Sequence, residues 1–200
     1  MTDIETQIQS QIDLSEWINT HFSIKFEFAS ESAKLAFTCF DITVEHHTSI
    51  VTLYNLKLFG SAFALLRVQF EALVRGLWLL NVASEADLTK FQSDKGVPGF
   101  GQMIKSIENA REINYGTLSY LKEQQWSIFN SFTHTGIDAL SRRMGIETTG
   151  YDNYSTEDGI RALRYSGLIA LLSTAELALL KNDEGLAQHT ILTINEYRAT

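Results

Sequence analysis

The chain of 200 residues holds one cysteine, one proline and 12 glycines, and each scarcity removes a class of protein. With Cys39 alone, neither an intrachain disulfide nor a multi-thiolate metal site can form. With Pro98 alone and glycine gathered in a few loops, the turn-dense pattern of an all-β protein is missing. Positive charge is also short: 16 Lys and Arg face 24 Asp and Glu, a formal charge of −8, and no basic cluster stands out along the chain. That balance gives no support to nonspecific binding of duplex nucleic acid or of an anionic membrane, although a local basic pocket can still hold a phosphate. The opening MTDIETQIQS is acidic and polar where a secretory signal is basic and then apolar, so a cytoplasmic protein is expected. Two apolar runs invite comparison with membrane spans. The first carries Arg67, Glu71 and Arg75; the second, Tyr165 to Leu180, follows Arg161 and Arg164, contains Glu176, and is shorter than the roughly 20 residues a span needs. Both are expected as buried helices, with no membrane partner.

What remains, 44% hydrophobic residues in long uninterrupted segments, is material for helices. Ile4, Ile8, Ile12, Trp17 and Ile18 recur at near-helical spacing, with a break expected near Asp13 to Ser15, where capping residues gather. Phe22 to Phe28 alternates apolar and polar residues and is expected as an extended linker. From Ser30 to about Phe59 a polar line (Lys34, Thr38, Asp41, Glu45) and an apolar line (Ala33, Phe37, Phe40, Val44, Leu58) describe one long amphipathic helix. A second long helix after Gly60 is expected to fold back on it as a hairpin. Shorter helices are expected after Ser84, from Gln102 to Glu112, from Thr117 to Thr135 and from Ile137 to Met144, with Arg142 and Arg143 exposed. Ser155-Thr-Glu-Asp opens a last long helix, to about Lys181. The expected fold is therefore an all-α, single-domain antiparallel helical bundle with two or three long central helices and several short ones. Residues 1–28 form a peripheral helix and linker, 30–181 the core bundle, and 183–198 a C-terminal helix.

Gly60 to Asn81 dominates the search for a site. Arg67, Glu71 and Arg75 recur at four-residue steps, so on a helix they fall in one narrow wedge together with Gly60, Ala64 and Trp78. An apolar helix with such a stripe holds either an internal ion-pair ladder or the wall of a cleft, where one carboxylate orients two guanidinium groups toward a phosphate or carboxylate. In Ser131-Phe-Thr-His-Thr-Gly136, His134 is the best proton-transfer candidate, and it can equally cap carbonyls; Tyr120, Ser127 and Ser131 share its side of the helix. His47 falls in the apolar line of its helix with His46 beside it, so both are expected as core histidines; a metal site would need His134 or Glu71 from other helices. Gly96 to Gly101 lacks the ending of a phosphate-cradling loop and is expected as a connector. No metal or cofactor is expected.

The phrases Ala62-Phe-Ala-Leu-Leu-Arg67, Phe70-Glu-Ala-Leu-Val-Arg-Gly-Leu-Trp78 and Ser131-Phe-Thr-His-Thr-Gly136 resemble a family of uncharacterised bacterial helical proteins, over roughly residues 30 to 180. The arrangement is loosely similar to the HEPN helical superfamily, whose members include ribonuclease toxins, phage-defence effectors and inactive partners. The resemblance implies a defence or toxin-like role, ribonuclease-like if the protein is an enzyme; the ligand expected is RNA or an anionic small molecule, and a protein partner encoded nearby is expected with it. Yet no arginine here is followed four to six residues later by a histidine, the HEPN nuclease signature, so no catalytic residue carries over. The site expected from the residues has His134, Arg75 and Glu71 as the chemical groups, and Arg67, Arg75, Tyr120 and Ser131 as ligand contacts. The alternative is a non-catalytic homodimeric interaction module with a structural ladder.

Overall fold

Helix starts in this chain are set by short polar side chains that reach forward to free backbone amides. Ser30 Oγ accepts from Ala33 N, Ser84 Oγ from Asp87 N and Ser155 Oγ from Asp158 N, while Asp183 Oδ1 accepts from Leu186 N. At Ser84 the cap is reciprocal, because the Asp87 carboxylate accepts the Ser84 amide in return. The computed structural model describes residues 2–22, 27–93, 95–110, 117–144 and 153–199. Among these residues the elements are α1 (Asp3–Phe22), α2 (Glu31–Asn55), α3 (Phe59–Asn81), α4 (Glu85–Gln92), α5 (Phe100–Ala110), α6 (Thr117–Thr133), α7 (Ile137–Ser141), α8 (Thr156–Leu180) and α9 (Glu184–Ala199). The fold is all-α.

Several boundaries differ from the sequence expectation for identifiable reasons. α1 runs unbroken through Asp13 to Ser15, since Ser15 Oγ donates back to the Gln11 carbonyl inside the helix instead of capping a new one. It also reaches the core, where Ile18 is fully buried. Phe22 ends α1 and is not part of a linker, Phe28 packs edge-on against Phe37 at 5.2 Å, and residues 23–26 lie outside the described ones. α2 stops four residues short of Phe59: Lys57 takes the left-handed conformation (φ 60°), Leu58 N closes on Leu53 O at 2.8 Å, and Leu58 is left 48% exposed. Gly60 therefore lies inside α3 and does not make the turn. α5 starts at Phe100, two residues before the expected Gln102.

The α2/α3 hairpin closes tightly. Ser32 Oγ donates to Leu79 O at one end, and Tyr54 meets Phe59 at the other, so the helices run antiparallel. Midway, the Phe40 ring presses on Gly76: a Cβ there would lie 2.5 Å from Phe40 Cε1. Gly159 gives α8 the same intimacy with α2, since a Cβ would meet the Tyr54 hydroxyl. α8 threads the centre, with Leu163, Ile169, Ala170 and Leu171 wholly buried. By length and composition it could cross a membrane, but 67% of its most apolar window is packed inside the fold.

A polar seam crosses this core. His47 Nδ1 and Ser166 Oγ share a hydrogen bond of 2.9 Å, and the Gln69 amide donates to Thr43 O at 3.3 Å and Ser166 O at 3.1 Å. Three helices, α2, α3 and α8, are thereby held in one register, as polar cores require of their partners. Burial pushes the His47 imidazole down to about 4, against a weaker upward pull from the Gln11 backbone.

Two outcomes follow from this packing. Gly76→Ala gains helix propensity but overpacks Phe40, so a net loss of about 1–2 kcal/mol is expected in urea unfolding. For His47, the folded value lies below the ordinary 6.5, so its contribution is complete above pH 6.5 and declines as pH falls toward 4. Wild-type stability should drop by about 2 kcal/mol between pH 6.5 and 5 from this group alone. The same titration of His47→Gln should be flatter over that window; equal slopes would exclude the assignment.

Candidate anion-binding face

On α3 the four-residue spacing produces a ladder. Arg67 Nε donates to Glu71 Oε1 at 2.8 Å, and Arg75 NH2 lies 3.7 Å from Glu71 Oε2. The Arg67 and Glu71 side chains are 21% and 20% exposed, and Arg75 is 50% exposed. The stripe is thus neither sealed in the core nor freely solvated. The same wedge closes further along, where Trp78 is buried against α4 and faces Phe91 at 6.5 Å.

Arg67 makes three contacts. Besides Glu71, its NH1 donates to His134 Nε2, and its guanidinium lies over the Trp126 ring at 4.9 Å. An arginine can only donate, so Nε2 of His134 must carry the lone pair and the neutral ring its proton on Nδ1. One guanidinium therefore clamps both ends of the second half of α6 onto α3. His134 and Arg67 are brought together as the sequence grouping requires, but Arg75 stands two helical turns away along α3, roughly 12 Å of rise.

The remaining candidates are placed elsewhere. Ser131 Oγ accepts from Asp138 N at 2.8 Å and Ala139 N at 3.4 Å, capping α7. Tyr120 is 60% exposed, and its backbone is separated from His134 by roughly 20 Å of helix rise. Angular position around α6 put these residues together; axial distance and local capping separate them. Thr135, directly after His134, adopts φ 55°, an unfavourable region for a β-branched residue, while Gly136 serves close approach: a Cβ would lie 2.7 Å from Ser131 Oγ.

Beside the clamp, α5 and α6 enclose a groove of about 760 Å³. Phe100 and Trp126 stack at 4.4 Å and 12° on its wall, and Lys105, Lys122, Ser127 and Asn130 line it. Glu108 ties the two helices by accepting from Ser119 N at 2.9 Å and Ser119 Oγ at 2.7 Å. The Asn130 amide oxygen is buried there without a protein hydrogen-bond partner. The stacked aromatic pair escaped the sequence reading because Trp126 reads only as one more apolar residue of its helix and Phe100 falls in the expected connector. The one usable signal was aromatic residues interleaved with lysines across two segments 20 residues apart.

Other reactive types are unremarkable in position. Burial pushes the Cys39 thiol up to about 11, only partly offset by the nearby Arg75 charge, so it is not a thiolate at neutral pH. His47 is fully buried and His46 half-buried. Among the described residues, no three His, Cys, Asp or Glu side chains converge as metal ligands would.

The architecture defines an all-α protein with a half-buried arginine–glutamate ladder on a central helix. The chain belongs to a family of unknown function, DUF6988, whose model matches residues 40–200 and so takes in the ladder, the clamp and the groove. No curated protein and no solved structure matches it.

Relieving the backbone at position 135 has a measurable consequence. Thr135→Asn, which tolerates the left-handed region, should stabilise the fold by about 1 kcal/mol in urea unfolding. A destabilised variant would show that the Thr135 side chain contributes more than its conformation costs.

Proposed function

We propose that the face made by α3, α5 and α6 binds RNA in single-stranded form, as a binding site first and a catalytic one second. The observation that carries the reading is the stacked Phe100–Trp126 pair beside Lys105 and Lys122, with the Arg67 guanidinium over the same tryptophan. Single-stranded nucleic acid is held by this mixture of aromatic surface and cations, and it needs no large basic field. Arg75, half-exposed at the loose end of the ladder, is the additional phosphate contact.

Catalysis is the weaker reading for a physical reason. His134 meets Arg67 through Nε2, so it can act as a general base there only by releasing the clamp that positions it. The HEPN resemblance favours a defence-related role, and this chain lacks the superfamily's nuclease motif. A second reading, a homodimeric interaction module, draws on the exposed apolar residues Ile137, Leu140 and Met144 at α7 and just beyond.

The test is fluorescence anisotropy with a labelled single-stranded RNA oligonucleotide across a salt series. Lys122→Gln and Arg75→Gln should each weaken binding and lower the magnitude of the salt slope by about 0.7. Folded wild-type protein that leaves the RNA unbound at low salt overturns the proposal and favours the interaction module. A binder that leaves the RNA intact, with or without His134→Ala, supports binding without catalysis.

A further inference from the structure

A second cleft, of about 480 Å³, opens between α6 and α8 above α3 and shares no lining residue with the groove. Its volume falls within the range of roughly 300–1,000 Å³ typical of small-molecule sites. Aromatic rings dominate its floor. The Phe63 and Phe132 ring centres lie 4.8 Å apart, and Phe129 meets Tyr165 edge-on at 5.0 Å, with Leu66 and Leu168 on the same lining.

The charged groups of the lining are paired with one another. Asp158 Oδ2 accepts from Arg142, which also donates to Asn153 O at 3.2 Å, and Asp158 Oδ1 accepts from Arg161 at 2.6 Å. Arg164 is held against Tyr197, donating to its carbonyl at 2.8 Å, and forms part of the wall. Burial acts to raise the Asp158 carboxyl, but hydrogen bonds from Ser155, Arg161 and Arg142 prevail and hold it below the usual range. Asp158 thus stays ionised. Arg142, expected from sequence to be exposed, is two-thirds covered because Asp158 and the cleft wall draw it in. A carboxylate offers about four acceptor sites, and the bonds from Arg142, Arg161 and Ser155 leave room for one more. Arg161, whose side chain is 67% exposed, keeps N–H groups beyond the one that meets Asp158.

We infer that this cleft binds a neutral aromatic alcohol, a phenol or naphthol in chemical class, with its rings on the Phe129–Phe132–Tyr165 floor and its hydroxyl between Asp158 and Arg161. A hydroxyl donates one hydrogen bond and accepts others, so it can donate to the remaining acceptor site of Asp158 while accepting from an Arg161 N–H. The existing ion pairs stay intact. A charged head fits less well: a carboxylate has to displace Asp158 from Arg161 or lie beside it, like charge to like, and an ammonium meets two guanidinium groups. The floor favours rings, because edge-to-face and offset contacts add to the area that they bury. This site is independent of the proposed RNA face, since no residue lines both.

Isothermal titration with β-naphthol at about pH 7, where a phenol is neutral, tests the inference, with β-naphthyl methyl ether and β-naphthoate as controls. β-Naphthol should bind one-to-one, and the ether, which cannot donate, about tenfold more weakly, since a hydrogen bond to a charged group is worth about that factor. β-Naphthoate should also bind more weakly than the alcohol. Asp158→Asn removes the charged acceptor and should reduce the preference for alcohol over ether to about threefold, while improving β-naphthoate. Ile128→Trp, at a residue 40% exposed on the cleft rim, should abolish β-naphthol binding. No binding of β-naphthol to folded wild type, an ether or carboxylate bound as tightly, an unchanged preference in folded Asp158→Asn, or unchanged binding by folded Ile128→Trp would each overturn it. Should Asp158→Asn fail to fold, the wild-type ligand series and Ile128→Trp decide.

Discussion

The contact of Phe40 with Gly76 fixes the geometry that everything else inherits. Because no side chain intervenes, α2 and α3 approach until an aromatic ring rests on backbone, and the hairpin becomes a rigid slab. α8 then seats across it, through Gly159 on one side and the His47–Ser166–Gln69 seam on the other. With two faces of α3 occupied by this packing, its Arg67–Glu71–Arg75 stripe is left facing α5 and α6. The ladder is half-buried for that reason: covered enough to be ordered, open enough to be reached.

The same carboxylate device appears twice. Glu71 stands between Arg67 and Arg75 within one helix, and Asp158 stands between Arg142 and Arg161 across two. In each case a single acid holds two guanidinium groups in fixed directions, which reduces the side-chain entropy lost on meeting a ligand. The two differ in openness. Arg67 is held within the protein by Glu71, His134 and the Trp126 ring, whereas Arg161 is largely exposed.

Helices were legible in the sequence where period and cap agreed. Ser30, Ser84 and Ser155 all cap as their positions indicate, and the alternating polar and apolar lines of α2 correspond to its wet and buried sides. Errors arose where a residue type has two uses. Ser15 bonds back into its helix instead of starting one, and Lys57 rather than Gly60 adopts the left-handed turn. At the site, Arg67 with Glu71 was readable because the pair is local, and the His134 contact followed from grouping the unusual polar residues. The Phe100–Trp126 stack and the Asp158 pair were not readable, since their partners are set by how α5, α6, α7 and α8 come together. Helical angle alone also misplaced Tyr120 and Ser131, which differ from His134 in axial position and in local bonding.

The arginines of the ladder sit on a molecule whose total is −8. At distances beyond a Debye length an approaching anion meets the total, and within it meets the local arginines. Added salt therefore shortens the repulsive reach before it weakens the contact itself, since the Debye length is still about 10 Å at 0.1 M. For any anion captured there, association is fastest at intermediate ionic strength and slower on both sides of it.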